Sequence, residues 1–129
     1  MDKAIRTLIV DDSKTSRKQM ELSLKHLGLT RVHSCNDGPE ALIQLGEAVL
    51  AGDPFGLVFC DWNMPEMDGI EVLRRIRDHE EARISGVKFI MVTGKAEKVR
   101  MAMDEGATTY VSKPLKEEKI SQKLRFAFL

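Results

Sequence analysis

Four short apolar runs in this chain end on polar residues that could do chemistry. LIV (8–10) stops at Asp11-Asp12, VFC (58–60) at Asp61, IMV (90–92) at Thr93, and TTYVS (108–112) at Lys113-Pro114. Taken singly these residues have ordinary explanations. An Asp-Asp pair before a helix is commonly a turn or a cap, and Asp61 alone reads equally as a turn residue, a metal ligand or a nucleophile. Brought together they have a specific chemistry. Three carboxylates within a few ångströms repel, and they stay ionised cheaply only beside a cation. The donor set is all oxygen, with no Cys or His in it, which selects a hard ion, Mg²⁺ or Mn²⁺. Mg²⁺ takes one or two protein carboxylates, keeps several waters and completes its shell with phosphate oxygens. Asp12 and Asp61 would supply the pair, with Asp11 near the waters. Lys113 brings a fixed positive charge suited to a phosphoryl oxygen, and Thr93 a hydroxyl donor. An ionised aspartate beside such an ion can attack a phosphoryl group, so the set reads as a phosphate acceptor centred on Asp61.

The elements that must position these groups alternate along the chain. Residues 4–12 form a short β-rich run. Residues 13–28 read as a helix, capped by Ser13, with Met20, Leu24 and Leu27 at helical spacing and Gly28 as its stop. A second strand spans 30–35 and a second helix 36–52, with Pro39 in its first turn and Leu42, Leu45 and Val49 on one face. The third strand, 56–61, carries a continuous apolar run, as a strand covered on both faces requires. A helix over 68–81 follows, with Ile70, Leu73 and Ile76 periodic, then a strand over 87–94 and a helix over 96–106. A fifth strand spans 108–114, and a last helix over 116–129 turns Ile120, Leu124 and Phe128 inward. Five βα units of this kind imply an α/β fold, a doubly wound parallel sheet with helices on both faces. In the flavodoxin-like strand order 2-1-3-4-5, ligands bind at the carboxyl ends of the strands beside the first and third. Asp11, Asp12, Asp61, Thr93 and Lys113 all fall on that edge.

Composition narrows the classes of function. The 129 residues carry 20 basic and 20 acidic side chains, so the chain has no electrostatic footprint for nucleic acid. No apolar run approaches a membrane span, and no signal peptide pattern opens the sequence, which makes the cytoplasm the expected location and membrane insertion unexpected. Cys35 and Cys60 fit neither a disulfide framework nor a zinc spacing and read as small core hydrophobes. The three histidines are scattered and form no metal pair. Trp62 reads as a partly exposed packing residue.

The runs LIVDDS, VFCDWNMPEMDG, IMVTG and TTYVSKPL are similar to those of the receiver domains of bacterial two-component response regulators, and the resemblance covers essentially the whole chain, 1–129. It implies a single receiver domain without an output domain, whose Asp61 accepts phosphate from a histidine kinase. It further implies that Asp11 and Asp12 serve Mg²⁺, that Asn63 supplies a backbone carbonyl ligand, and that Thr93 and Lys113 contact the phosphoryl group. A cis peptide before Pro114 is implied as well, as is a switch pairing Thr93 with Tyr110, which are expected to end adjacent strands. Such a protein promotes its own phosphorylation and dephosphorylation without turning over a separate substrate.

The DWNMP run and the Thr93/Tyr110 pair are most similar to the single-domain chemotaxis receivers of the CheY type. That likeness implies a CheA-like kinase, a flagellar motor switch protein as phosphorylation-dependent target, and a phosphatase as a further partner. Two residues depart from it. Ser13 stands where those receivers often carry an aromatic, and Lys95, two past Thr93, where they often carry an acid. Asn63 and Lys95 are expected to face each other across the mouth of the site and to set the lifetime of the phosphoryl group. A phosphorelay intermediate or another single-domain receiver is the alternative. A more distant one is an Mg²⁺-dependent phosphatase with an aspartyl nucleophile, but Asn63 stands where such an enzyme needs a second carboxyl. A nucleotide-binding protein lacks its signature, since neither a Walker A nor a Gly-x-Gly-x-x-Gly run is present.

Overall fold

A computed structural model describes residues 1–129. Five parallel strands form one sheet in the order β2-β1-β3-β4-β5, with β1 at Thr7–Val10, β2 at Val32–Cys35, β3 at Leu57–Asp61, β4 at Lys88–Thr93 and β5 at Thr109–Ser112. The helices are α1 (Lys14–His26), α2 (Gly38–Leu50), α3 (Gly69–Arg77), α4 (Ala82–Ser85), α5 (Ala96–Asp104) and α6 (Glu117–Ala127). The expected class and strand order are those observed.

The sheet separates two apolar layers, because alternate residues of a strand point to opposite faces. Leu8, Val10, Val58, Cys60, Phe89 and Met91 face α2, α3 and α4. Ile9, Leu57, Phe59, Ile90 and Val92 face α1 and α6, where Met20, Leu24, Ile120 and Leu124 meet them. All residues of β1 and β3 are buried, as the continuous apolar run of β3 anticipates, whereas edge strand β5 alternates buried with half-buried residues. Leu45 is buried on α2, and Leu42, Val49, Leu27 and Phe128 pack at the margins of the two layers.

The caps follow the sequence. Ser13 accepts a hydrogen bond from the Ser16 N–H, Asp37 from Glu40 and Asp68 from Glu71, each holding the entry of the helix that follows a strand end. One helix is shorter than its pattern suggested. The helix expected over 68–81 ends at Arg77, and a separate turn, α4, follows at Ala82–Ser85. The segment 78–81 is wholly polar, so a continued helix would have no face to bury. Instead Glu81 caps α4, whose Ile84 is buried, and Arg77 donates to the carbonyls of Ser85, Val87 and Gly106 at 2.7–2.8 Å. The guanidinium thus ties the end of α3 to the segments that lead into β4 and β5.

Candidate functional site

The parallel register carries the polar groups to one edge. Val10 pairs with both Cys35 and Cys60, Asp61 with Val92, and Thr93 with Ser112, so the residues that close β1, β3, β4 and β5 lie side by side. Asp11 leaves β1 next to the end of β3, at the point where the chain crosses from one side of the sheet to the other. Carboxylate oxygens of Asp11, Asp12 and Asp61 all lie within 4.8 Å of one another. Asp11 and Asp61 are buried, at 7% and 4% exposure, and Asp12 is exposed at the mouth.

Asp11 and Asp61 are held by their neighbours. Asp11 Oδ1 accepts the Ser13 N–H at 2.9 Å, and Arg17 ties the Asp11 carbonyl to α1 at 2.8 Å. Burial pushes the Asp11 carboxyl above the usual range, and the charges of Asp61 and Asp12 push the same way. The Ser13 hydrogen bond and Lys113 oppose them. The Lys113 ammonium lies 2.7 Å from Asp61 Oδ1 as an ion pair, yet that buried oxygen has no donor in hydrogen-bonding alignment. A buried carboxylate oxygen lacking an aligned donor, in an all-oxygen cluster of three acids, is the environment a hard divalent cation fits. Asp11, Asp12 and Asp61 are therefore the residues that could hold Mg²⁺, and the Asn63 carbonyl follows Asp61 by two residues.

Thr93 is buried at the end of β4, its hydroxyl accepting the Lys95 N–H at 3.2 Å, and its carbonyl accepts the Lys113 N–H at 3.1 Å. The peptide between Lys113 and Pro114 is cis. Lys119 reaches back from α6 to Ser112 Oγ at 3.2 Å and to the Pro114 carbonyl at 3.3 Å, bracketing Lys113. Beneath the acids, Gly69 opens α3 with its N–H on the Trp62 carbonyl at 2.8 Å.

Three placements differ from expectation. Trp62 is buried, at 5% exposure, because its ring joins Met64 and Ile70 in the layer under the loop. Tyr110 does not end β5. It pairs with Met91, one step below the Thr93–Ser112 pair, and its half-buried ring lies under the Lys123 ammonium at 4.0 Å. Lys95 is the exposed N-cap residue of α5 and makes no side-chain cap bond. The ammonium on Asn63 belongs to Lys98, whose Nζ lies 3.0 Å from Asn63 Oδ1. Sequence reasoning passed over Lys98, and the signal for it was its place in the first turn of a helix that begins beside the site.

The family model described as "Response regulator receiver domain" matches residues 7–125. The chain belongs to the response regulator receiver domain family. Among its relatives are "Chemotaxis protein CheY-3" of Vibrio cholerae, 36% identical over 96% of this chain and 92% of that protein, and "Chemotaxis protein CheY" of Pseudomonas aeruginosa, 32% identical over 96% of both. Among solved structures, the CheX-CheY-BeF3-Mg complex from Borrelia burgdorferi contains a similar chain, with a TM-score of 0.85 and 30% identity over 97% of this chain and 90% of that one. The protein is thus a two-component signalling receiver with chemotaxis relatives, of a class that signals rather than turns over substrate. No helix is long and apolar enough to cross a membrane.

Proposed function

We propose that the receiver accepts a phosphoryl group on Asp61 from a histidine kinase, with Mg²⁺ held by Asp11, Asp12, Asp61 and the Asn63 carbonyl. The observation that carries this reading is the cluster of three carboxylates within 4.8 Å with Lys113 at 2.7 Å from Asp61. The Borrelia relative, whose structure includes BeF3 and Mg, supports it by likeness.

The ionised Asp61 oxygen attacks phosphorus as the bond from phosphorus to the donor's imidazole nitrogen breaks, and the electron pair leaves with that nitrogen. Bound Mg²⁺ would lower the charge repulsion between the carboxylate and the incoming phosphoryl oxygens. Lys113, now paired with Asp61, moves its charge onto a phosphoryl oxygen, and the Thr93 hydroxyl donates to another. Drawing Thr93 toward phosphate vacates space that the Tyr110 ring fills, and the face made by α5, β5 and α6 changes its affinity for a target. This is a population shift, so the phosphorylated site must favour the inward ring energetically. In this reading a CheA-like kinase is the donor, a flagellar motor switch protein the target and a phosphatase a further partner, and the likeness to chemotaxis proteins supports it. Location in the cytoplasm follows from such partners.

Acetyl phosphate with Mg²⁺ should add one phosphoryl mass to the protein, mapped to Asp61. Equal labelling of an Asp61→Asn variant, read by intact mass, sinks the assignment.

A further inference from the structure

Lys98 joins two segments at the rim of the site. Its Nζ lies 3.0 Å from Asn63 Oδ1 and 5.1 Å from the centroid of the Trp62 ring, within reach of a cation–π attraction. The residue is half-buried although it belongs to the first turn of α5, where Lys95 provides no side-chain cap. That turn is therefore tied to the β3–α3 loop by the Lys98 side chain. The two partners stand on adjacent residues, so one ammonium fixes both the exposed Asn63 amide and the buried Trp62 ring. Beside them lies an open cleft of about 430 Å³ whose lining includes Asp12, Trp62, Asn63, Asp68 and Lys98. A molecule entering the acid cluster along this cleft passes the Asn63–Lys98 pair.

We propose that Lys98 is a positioning residue that latches the Asn63 side chain over the entrance to the acid cluster and so slows the access of water to phosphorylated Asp61. The proposal rests on Asp61 as phosphoacceptor and adds a residue to that reading. Lys98 acts through the amide it holds: with the latch open, Asn63 swings away from the cleft and water reaches phosphorus more often. If the ammonium instead acted directly on a phosphoryl oxygen, its effect would not need Asn63 at all.

A double-mutant cycle separates these routes. Wild type, Lys98→Met, Asn63→Ala and the double variant are labelled with acetyl phosphate and Mg²⁺, and loss of phosphoryl mass is followed after the donor is removed. Methionine keeps the packing stem without the charge, so a merely structural role of the stem leaves the decay unmoved. Lys98→Met should speed loss several-fold in the wild-type background and have no further effect in Asn63→Ala. An unchanged decay, or the same acceleration in both backgrounds, overturns the latch. Trp62 fluorescence of the metal-free proteins reads the contact without phosphate, and Lys98→Met should alter it. Absence of labelling in wild type would remove the phosphoacceptor reading, and with it the latch's effect on lifetime. Labelling that proceeds normally while Lys98→Met changes neither decay nor fluorescence would remove the latch alone.

Discussion

A Cβ on Gly69 would stand 2.5 Å from the carbonyl oxygen of Asp61 and 2.8 Å from the Cα of Trp62. Both obstacles are backbone, which cannot rotate aside as a side chain can. The start of α3 therefore lies directly against the chain that aims the Asp61 carboxylate, and only glycine leaves room. Gly69→Ala should cost about 1–3 kcal/mol through overpacking, measured by urea denaturation. The shift should fall on Asp61, so acetyl phosphate labelling should drop by more than the loss of folded protein explains.

Asp11 is held as a buried acid beside two others, so its ionised form opposes folding in metal-free protein. Asp11→Asn should raise the melting temperature without Mg²⁺. Adding Mg²⁺ should stabilise the wild type, by about 2.7 kcal/mol when the ion stands at about 100 times its Kd. The variant should lose most of that response, as read by differential scanning calorimetry with and without the metal.

Tyr110 is the only tyrosine of the chain, so fluorotyrosine labelling places a single ¹⁹F resonance on its ring. Beryllofluoride with Mg²⁺ should shift that resonance as the ring leaves its place under Lys123. In Thr93→Ala the shift should shrink, because the hydroxyl that couples the ring to phosphate is gone. A full shift in that variant would break the link between the two residues.

Burial, with Glu40 adding to it, pushes the Cys35 thiol up to about 12 from 9.0, and burial pushes Cys60 well above 9.0. In the unfolded chain each thiol loses its proton near its ordinary value, while in the folded protein Cys35 keeps it to about 12. The folded state thus binds more protons across that window. The stabilisation is complete below pH 9.0 and is lost as pH rises toward about 12, at up to about 1.4 kcal/mol per pH unit for each thiol. Cys35→Ala should flatten the alkaline fall in urea stability relative to wild type. Neither thiol should react with a disulfide reagent at pH 8 until the protein unfolds.

The five βα units, the apolar faces of α1, α2 and α6, the cap at Ser13 and the strand-end positions of Asp11, Asp61, Thr93 and Lys113 were all legible from the residues alone. Those features are local: periodicity, caps and the point where an apolar run stops are all written within a few residues. That the strand-end groups belong to one site was legible through the doubly wound topology, which sends all parallel strands out at the same edge. Tertiary packing decided the rest. Residues 78–81 are wholly polar and offer a helix no face to bury, whereas the carbonyls of Ser85, Val87 and Gly106 that Arg77 meets at the end of α3 are not visible in a window of neighbours. Trp62 became core rather than surface because it joins the buried apolar layer that also holds Met64 and Ile70. The Asn63 amide met Lys98 rather than Lys95, although both lysines lie near Thr93 in sequence. Which side chain of a first helical turn faces a loop 35 residues away depends on where the helix starts and how its axis lies on the sheet. Neither is set by spacing alone, because α5 is seated on the sheet by Ala102, its one buried residue, which packs in the layer that also holds Met91.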